Sequence, residues 1–525
     1  MEQVTSPHRA GPLSRPLLLV SFAGALLFLY LRTFLLPGTP YLAQGDQILF
    51  FARAVRVAHG QVLYRDFFEL VTPGTDLLYA AAFRVFGIHA WVMQAWTIVL
   101  GLALFWVVLQ ISGRIFRGPL VLLPALLFLI FDFNSGLDAT HHWYSTLTAL
   151  MAVLVLMRGA SLWRIVAAGA LCGIATLFTQ TQGALVFAAL IVYLLWLWRS
   201  DEQGDRILVR LSALTLPFVL IVTSVLGYYV CKAGLHTVFF DLVLVPVRYM
   251  SSGDVNSPRT YLRQIPSVHS FPEIVRLPPV LFIYAVVPYV YFFGLYKLWR
   301  KRTEPVDAIW RHLVLLHLAG LALFLSVASA PRLFRLSTVA PPAIIVLVWL
   351  LDQQRPLLRA VRNTLAVVAV AYSLFLTAYR QTHQRSTLTL PLGRTAFTDV
   401  QEFHAFQWMS QHTHPSEGLF NQTSLGLYLA LDNPAATEFI GDDGVTRPDQ
   451  VAAALQAFRR DPPHFIVLIP ESPESLKHEN NSGPFREYVH RNYHLAQSFS
   501  FDRNSGHNEL WELGRPGETT EPPMR

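Results

Sequence analysis

The stretch "YLAQGDQILFFARAVRVAHGQVLYRDFFELVTPG", residues 41–74, directly follows an apolar run of membrane length, yet it carries Asp46, Asp66 and Glu69 among aromatic and aliphatic side chains. Carboxylates at a hydrocarbon boundary are costly unless they serve a turn, an ion pair or a reaction. The rest of the chain identifies the boundary. Of 525 residues, 53% are hydrophobic and only 14% charged, and the mean hydropathy is +0.40. The apolar residues recur in blocks of about twenty, the length that crosses a bilayer core, so the chain reads as an α-helical polytopic membrane protein.

The net charge of +7 would suit nucleic acid, but Arg and Lys fall in short clusters between the apolar blocks and build no basic face. No nucleic-acid partner is expected. Cys172 and Cys231 lie in apolar segments, and no Cys/His spacing fits a zinc site or a disulfide framework.

The first block, "PLLLVSFAGALLFLYLRTFLL", follows a basic head with Arg9 and Arg15. It is longer than a signal-peptide core and no small-residue cleavage site follows, so it reads as an uncleaved span. Further spans are expected near 91–112, 118–134, 140–157, 164–180, 183–198, 211–231, 278–298, 312–330, 334–351 and 362–379, about eleven in all. Arg114/Arg117, Arg158/Arg164, Arg199/Arg206/Arg210, "KLWRKR" at 297–302 and Arg355/Arg359/Arg362 then fall on one side. The short loops of the other side, "NSGLDATHH" and "TQTQG", have no Lys or Arg. The positive-inside rule puts the amino terminus in the cytoplasm and everything after residue 380 outside. The two long outer segments, 37–90 and 232–277, carry arginines that this rule governs poorly.

Within the first outer loop, "TDLLYAAAFRVFG" at 75–87 is too short to span and contains Asp76 and Arg84, so it is expected to lie in the interface. Residues 47–58 are amphipathic, with Arg53 and Arg56 able to face water or headgroups. Beyond 380 the chain turns polar, with a helical period in "FTDVQEFHAFQWMSQH" and "RPDQVAAALQAFRR" and a β-branched run in "HFIVLIPE". The expected organisation is a membrane domain over 1–380, with its first outer loop at 37–90, and a small α/β domain over 381–525 outside the membrane.

An Asp after the first span, then Gly60, Tyr64 and Asp66, then Pro73–Gly74, then a short helix ending in Phe86–Gly87 form an ordered pattern. It resembles the first outer loop of the GT-C membrane glycosyltransferases, in particular the protein O-mannosyltransferase and aminoarabinose-transferase branch with its RgtA-like bacterial members. The motif likeness covers residues 41–90; the layout likeness covers most of the chain. One departure is Gln47, which stands where the family often places a second acid. The resemblance implies the GT-C fold, two interfacial helices in the first loop, and an inverting transfer of a hexosyl or pentosyl unit from a polyprenyl-phosphate sugar. It further implies a bacterial inner membrane, with a glycan, lipid or protein acceptor on the outer side.

That chemistry needs a base near the acceptor hydroxyl and cations near the departing phosphate. By the resemblance Asp46 is the catalytic base; helix capping is its structural alternative. Asp66 and Glu69 are candidate substrate-binding residues, against turn capping or pairing with Arg65. Tyr64 is a weaker candidate, because tyrosine is enriched at membrane interfaces regardless of function. In "FDFNSGLDATHHW", Asp138, His141 and His142 are candidates for donor or acceptor contact, with capping of the next span as the alternative. Adjacent histidines do not share a helix face, so no two-histidine metal site is expected. A divalent ion is compatible with the carboxylates, and no ligand cluster requires one. Arg332 and Arg335, three apart at the end of a late span, suit phosphate binding, with headgroup snorkelling as the alternative. Arg248, Arg259 and Arg263 are weaker candidates of the same kind, and "TQTQG" reads as a tight turn without a ligand.

A transporter or flippase would place charged residues and broken helices at mid-membrane, whereas the ionisable groups here gather at one face. A lipid-linked polymer ligase or polymerase would carry its large loop late among the spans. An interaction module on an inactive scaffold would survive any single substitution at the acidic loop.

Overall fold

The computed structural model describes residues 14–43, 45–200, 206–248, 261, 271–300, 307–352, 355–422, 426–439, 447–469, 483–499 and 508–514. Among these, eight helices are long and apolar enough to cross a membrane, including α1 (Arg15–Thr33), Ala90–Ile115, Gly118–Gly136, Ile207–Ala233 and Pro356–His383. Each remaining expected span is also helical but shorter: His141–Met157, Leu162–Phe178 and Pro341–Leu351. The expected 334–351 span is two pieces, Leu333–Thr338 and Pro341–Leu351. Pro341 and Pro342 lack the N–H that a continuous helix would require, so the chain breaks ahead of them. Arg259 and Arg263 lie outside the described residues, and Arg248 ends the short helix Val245–Arg248.

Small residues set the helix contacts where lipid offers no hydrophobic drive. A Cβ on Gly169 would lie 2.0 Å from the Leu214 carbonyl oxygen, and one on Gly173 would lie 3.2 Å from that of Phe218. Helix Leu162–Phe178 therefore presses its Gly169-x-x-x-Gly173 face directly on helix Ile207–Ala233.

The first loop contains two helices as expected, α2 (Asp46–Ala58) and α3 (Gly74–Phe86). Arg53, expected to face water or headgroups, is instead buried, because Glu69 folds back to pair with it. Arg56 lies partly covered, with its guanidinium 4.5 Å from the Phe67 ring centroid.

Two short strands, β1 (Phe34–Leu35) and β2 (Thr39–Pro40), pair after α1, and after the last long helix the chain forms a hairpin of β3 (Thr387–Leu390) and β4 (Gly393–Ala396). A four-stranded sheet follows, of β5 (Leu419–Asn421), β6 (Phe465–Leu468), β7 (Tyr493–Phe499) and β8 (Asn508–Leu513) in the order β5-β6-β8-β7. Only the β5–β6 pair is parallel. Helices Val400–His412, Pro448–Arg460 and Gly483–Asn492 complete the α/β unit, the first capped by the Asp399 carboxylate on the Gln401 and Glu402 N–H groups. Its apolar core gathers Phe420, Phe458, Ile466, Leu468 and Phe485.

The tail unit docks on the first loop. Leu42 N–H donates to the Ala396 carbonyl at 2.8 Å, and Arg56 Nη1 donates to that of Glu438 at 3.4 Å. Phe68 and Phe439 rings lie 6.2 Å apart. Arg447 places its guanidinium 4.9 Å from the Phe240 ring centroid, beside the buried Asp241.

Burial, opposed by Arg447 and assisted by Glu69 and Glu438, pushes the Asp241 carboxyl up to about 7. The unfolded chain releases this proton near pH 4, roughly the ordinary Asp value, so the folded chain holds an extra proton between that pH and 7. Stability must fall as pH rises through this window. Thermal unfolding between pH 5 and 8 should show that fall in the wild type, and Asp241→Asn should flatten it and raise the unfolding temperature at pH 8. An equally steep fall in the variant would assign the slope to another group.

Candidate active site at one end of the helical bundle

Three loops meet at the end of the bundle that carries the tail unit. Gly45, at φ +67°, occupies the cap position of α2, so Asp46 is the first residue of that helix rather than its cap, and it is exposed. A Cβ on Gly45 would sit 3.1 Å from Asp138 Oδ2, and one on Gly136 would sit 3.0 Å from Asp138 Oδ1 and 3.4 Å from the Phe334 ring. Two glycines thus let the first loop, the loop at 134–140 and the late loop close around one carboxylate. The positive φ and the narrow gap both explain glycine at 45.

Asp138 is buried, and burial together with the neighbouring Asp46 charge raises its carboxyl well above the usual range. Two carboxylates this close do not both ionise easily. The buried one is the carboxyl pushed toward its protonated form.

Around this pair, His141 starts the helix His141–Met157, its ring 4.9 Å from Phe50 and 3.9 Å from His142. His142 lies 6.0 Å from Phe334, and Arg335 is within electrostatic reach of both imidazoles. Arg332 caps the helix Leu333–Thr338, and its buried Nε has no hydrogen-bond partner among the described residues. Asp46, Asp138, His141, His142 and Arg335 therefore belong to one neighbourhood, though they come from three segments, and Arg332 starts the short helix that carries Arg335.

The other candidates are engaged locally. Asp66 pairs with Arg65 at 2.8 Å and accepts the Val62 N–H at 2.7 Å, contacts that hold its carboxyl below the usual range. Tyr64, at φ +66°, donates its hydroxyl to the Val71 carbonyl at 2.7 Å. Glu69 is fully buried, with Oε2 paired to Arg53 Nη1 and Oε1 accepting from Val71 N–H at 2.8 Å. Beside them Asp76 is buried, with no side-chain hydrogen bond to another residue among the described residues, and burial and the Glu69 charge raise its carboxyl well above the ordinary range.

Sequence reading missed the two glycines, the Arg53–Glu69 pair and Gln182. The "TQTQG" segment is the tight turn expected, with Thr179 alone between helices Leu162–Phe178 and Gln180–Ser200, but it also brings the buried Gln182 next to His142. Gly before Asp46 and Gly two residues before Asp138 were the available signals. Gln47, the departure from the family pattern, is buried and donates to the Met93 carbonyl at 3.2 Å and to Thr97 at 3.0 Å. Among the described residues no group of three or more His, Cys, Asp or Glu side chains is placed to hold a metal ion.

Residues 71–229 match the family model described as dolichyl-phosphate-mannose-protein mannosyltransferase. The match takes in α3, Asp138 and both histidines and stops short of Asp46. The crystal structure of ArnT from Cupriavidus metallidurans bound to undecaprenyl phosphate is similar over 95% of this chain and 98% of its own, at 13% identity and a TM-score of 0.60. Its apo state aligns with a TM-score of 0.58 at 14% identity, over 94% of this chain and 97% of its own. The archaeal oligosaccharyltransferase AglB from Archaeoglobus fulgidus, in complex with an inhibitory peptide and a dolichol-phosphate, aligns over 95% of this chain and 74% of its own, at 10% identity and a TM-score of 0.51. No curated protein matches the chain by sequence. The fold is that of the GT-C membrane glycosyltransferases. The family-model match over residues 71–229 and the ArnT-like fold over most of the chain agree with what the first loop led us to expect.

The buried pair supplies a test of structure against chemistry. Glu69→Ala leaves Arg53 buried and unpaired and should destabilise the protein by about 3–5 kcal/mol. The double variant Arg53→Met, Glu69→Leu should recover most of that loss in thermal unfolding. If the double variant is stable but inactive in sugar transfer, Glu69 or Arg53 also acts on a substrate.

Proposed function

We propose that this chain moves a sugar from a polyprenyl-phosphate donor to a hydroxyl of an envelope acceptor, with inversion, at the non-cytoplasmic face of a bacterial inner membrane. The carrying observation is the convergence of the exposed Asp46, the buried Asp138 and the Arg332/Arg335 loop around the two glycines. ArnT bound to undecaprenyl phosphate and AglB bound to dolichol-phosphate support a lipid-phosphate donor for this fold.

In this reading Asp46 accepts the proton of the acceptor hydroxyl as its oxygen attacks the anomeric carbon. The bond from that carbon to the phosphate oxygen breaks, and its electron pair leaves with the polyprenyl phosphate. Arg332 and Arg335 meet the charge that builds there, since guanidinium forks suit phosphate oxygens. Asp138, protonated, donates a hydrogen bond that orients Asp46 or the acceptor. The first loop and the tail unit lie on the same side of the membrane, which leaves the donor headgroup and the acceptor a common compartment.

Three measurements test this. Asp46→Asn should lose roughly 10²–10⁴-fold in transfer rate while folding normally, and Asp138→Asn should lose less, because it replaces a neutral group. A reversed order would make Asp138 the base. Arg332→Ala and Arg335→Ala should weaken apparent donor affinity more than acceptor affinity; a change confined to the acceptor would reassign them. For sidedness, cysteines introduced at Gln61 and Glu487 in a Cys231→Ser background should both react with an impermeant reagent in intact spheroplasts. Labelling of only one would overturn the shared side. Comparison of envelope glycans and glycolipids with and without the chain, by mass spectrometry, identifies the transferred sugar.

A further inference from the structure

Where α1 ends, two arginines from opposite ends of the membrane domain face each other. Arg32, 8% exposed, donates Nε to Asn134 Oδ1 at 2.8 Å and Nη1 to the Leu376 carbonyl at 2.9 Å. Arg380, near the end of helix Pro356–His383, donates Nε to Gln384 Oε1 at 3.1 Å and Nη1 to the Arg32 carbonyl, and its guanidinium lies 5.1 Å from the Tyr41 ring centroid. Among the described residues neither guanidinium forms an ion pair, and neither Nη2 donates to a protein acceptor. Arg32 feels the charge of Arg380, and Tyr41 feels both arginines together with Arg385.

Both side chains line a cavity of about 40 Å³ together with Tyr41, Gln94, Leu137 and Thr398. That is room for about three waters at roughly 10–15 Å³ each, or for the oxygens of one tetrahedral oxyanion. Two like charges brought out of water without a counter-charge are costly. A phosphate repays that cost with bidentate, charge-assisted hydrogen bonds from the free guanidinium edges. Gln94 Nε2 is committed to the Tyr41 carbonyl at 2.8 Å, and its buried Oε1, without a partner among the described residues, is left to accept from a donor such as the hydroxyl of a phosphate monoester or a bridging water.

We propose that Arg32 and Arg380 form a phosphate-binding site distinct from the Arg332/Arg335 loop. Gly136 is the partition: it lines this cavity, while the Cβ direction at the same residue points to Asp138 and Phe334. The site ties α1 to helix Pro356–His383 through one anion and fixes the Gly136–Asp138 loop from behind. Its phosphate comes either from a membrane phospholipid headgroup or from a soluble phosphorylated ligand. The site stands whether or not Asp46 is a base.

The test uses the purified full chain. In neutral detergent, inorganic phosphate is titrated and thermal unfolding is followed. In parallel, the chain is placed in phosphatidylcholine nanodiscs with and without phosphatidylglycerol, and retained lipid is identified by native mass spectrometry. Saturable stabilisation by phosphate, weakened roughly tenfold or more in Arg380→Gln, the loss expected for one charge-assisted hydrogen bond, supports the site with a soluble ligand. Stabilisation only by phosphatidylglycerol, with retained lipid lost in Arg380→Gln, supports it with a headgroup. Arg380→Lys keeps the charge but not the fork, serves if the Gln variant does not fold, and should weaken binding by a smaller factor. Arg491→Gln, on the exposed face of the tail unit, should change neither response. The proposal is overturned if neither phosphate nor phosphatidylglycerol stabilises the wild type, or if both Arg380 variants respond like the wild type.

Discussion

The buried ion pair between Arg53 and Glu69 holds the first loop in one shape. Arg53 comes from the middle of α2 and Glu69 from the segment that leads into α3, so the pair clamps two interfacial helices whose own apolar faces are short. Glu69 spends its second oxygen on the Val71 N–H, which sets the turn that brings Gly74 against the Leu177 carbonyl. From there the loop is locked to the spans: Thr72 donates to the Thr176 carbonyl at 2.8 Å and Gln180 to that of Leu70 at 3.1 Å. The direction of α2, and hence where its first residue Asp46 points, follows from this chain of contacts.

A buried cation near several acids sets them apart as well. Arg53 pairs with Glu69, which touches the guanidinium directly. Asp76, buried close by, has its carboxyl raised well above the ordinary range by burial and by the Glu69 charge. The same contrast holds at Asp138, buried and raised, beside the exposed Asp46. This end of the bundle thus contains acids in two kinds of surroundings, some fully buried with raised carboxyls and others open to solvent or paired with an arginine. Environments that push two neighbouring carboxyls apart are what assigns acid and base roles in a site.

The helices were legible because hydropathy reports directly on lipid exposure, and the order of small motifs between Asp46 and Gly87 was enough to name the fold. Pairing of Arg65 with Asp66 was also legible, since adjacent residues need no tertiary knowledge. What stayed hidden depends on which loops touch. Arg53 looked like a residue for headgroups because its amphipathic helix offers two faces, and only the return of Glu69 decides between them. The short helix Leu333–Thr338 merged with its neighbour because both are apolar, although the prolines at 341 and 342 marked the break. Arg32 and Arg380 are separated by most of the membrane domain, so nothing local brings them together.

The three loops can close tightly only because two of their contact residues lack a side chain. Gly45 and Gly136 bring backbone to within van der Waals reach of the Asp138 oxygens from opposite sides. A Cβ at either position would meet an Asp138 oxygen at 3.0–3.1 Å, so that the carboxyl or the loop would have to give by roughly a few tenths of an ångström. A change there bears on the burial and the Asp46 proximity that together raise the Asp138 carboxyl. Gly136 also lines the Arg32/Arg380 cavity. The acidic pair and the two arginines therefore share one residue of the 134–140 loop, Gly136, which faces the Asp138 carboxyl on one side and lines the arginine cavity on the other.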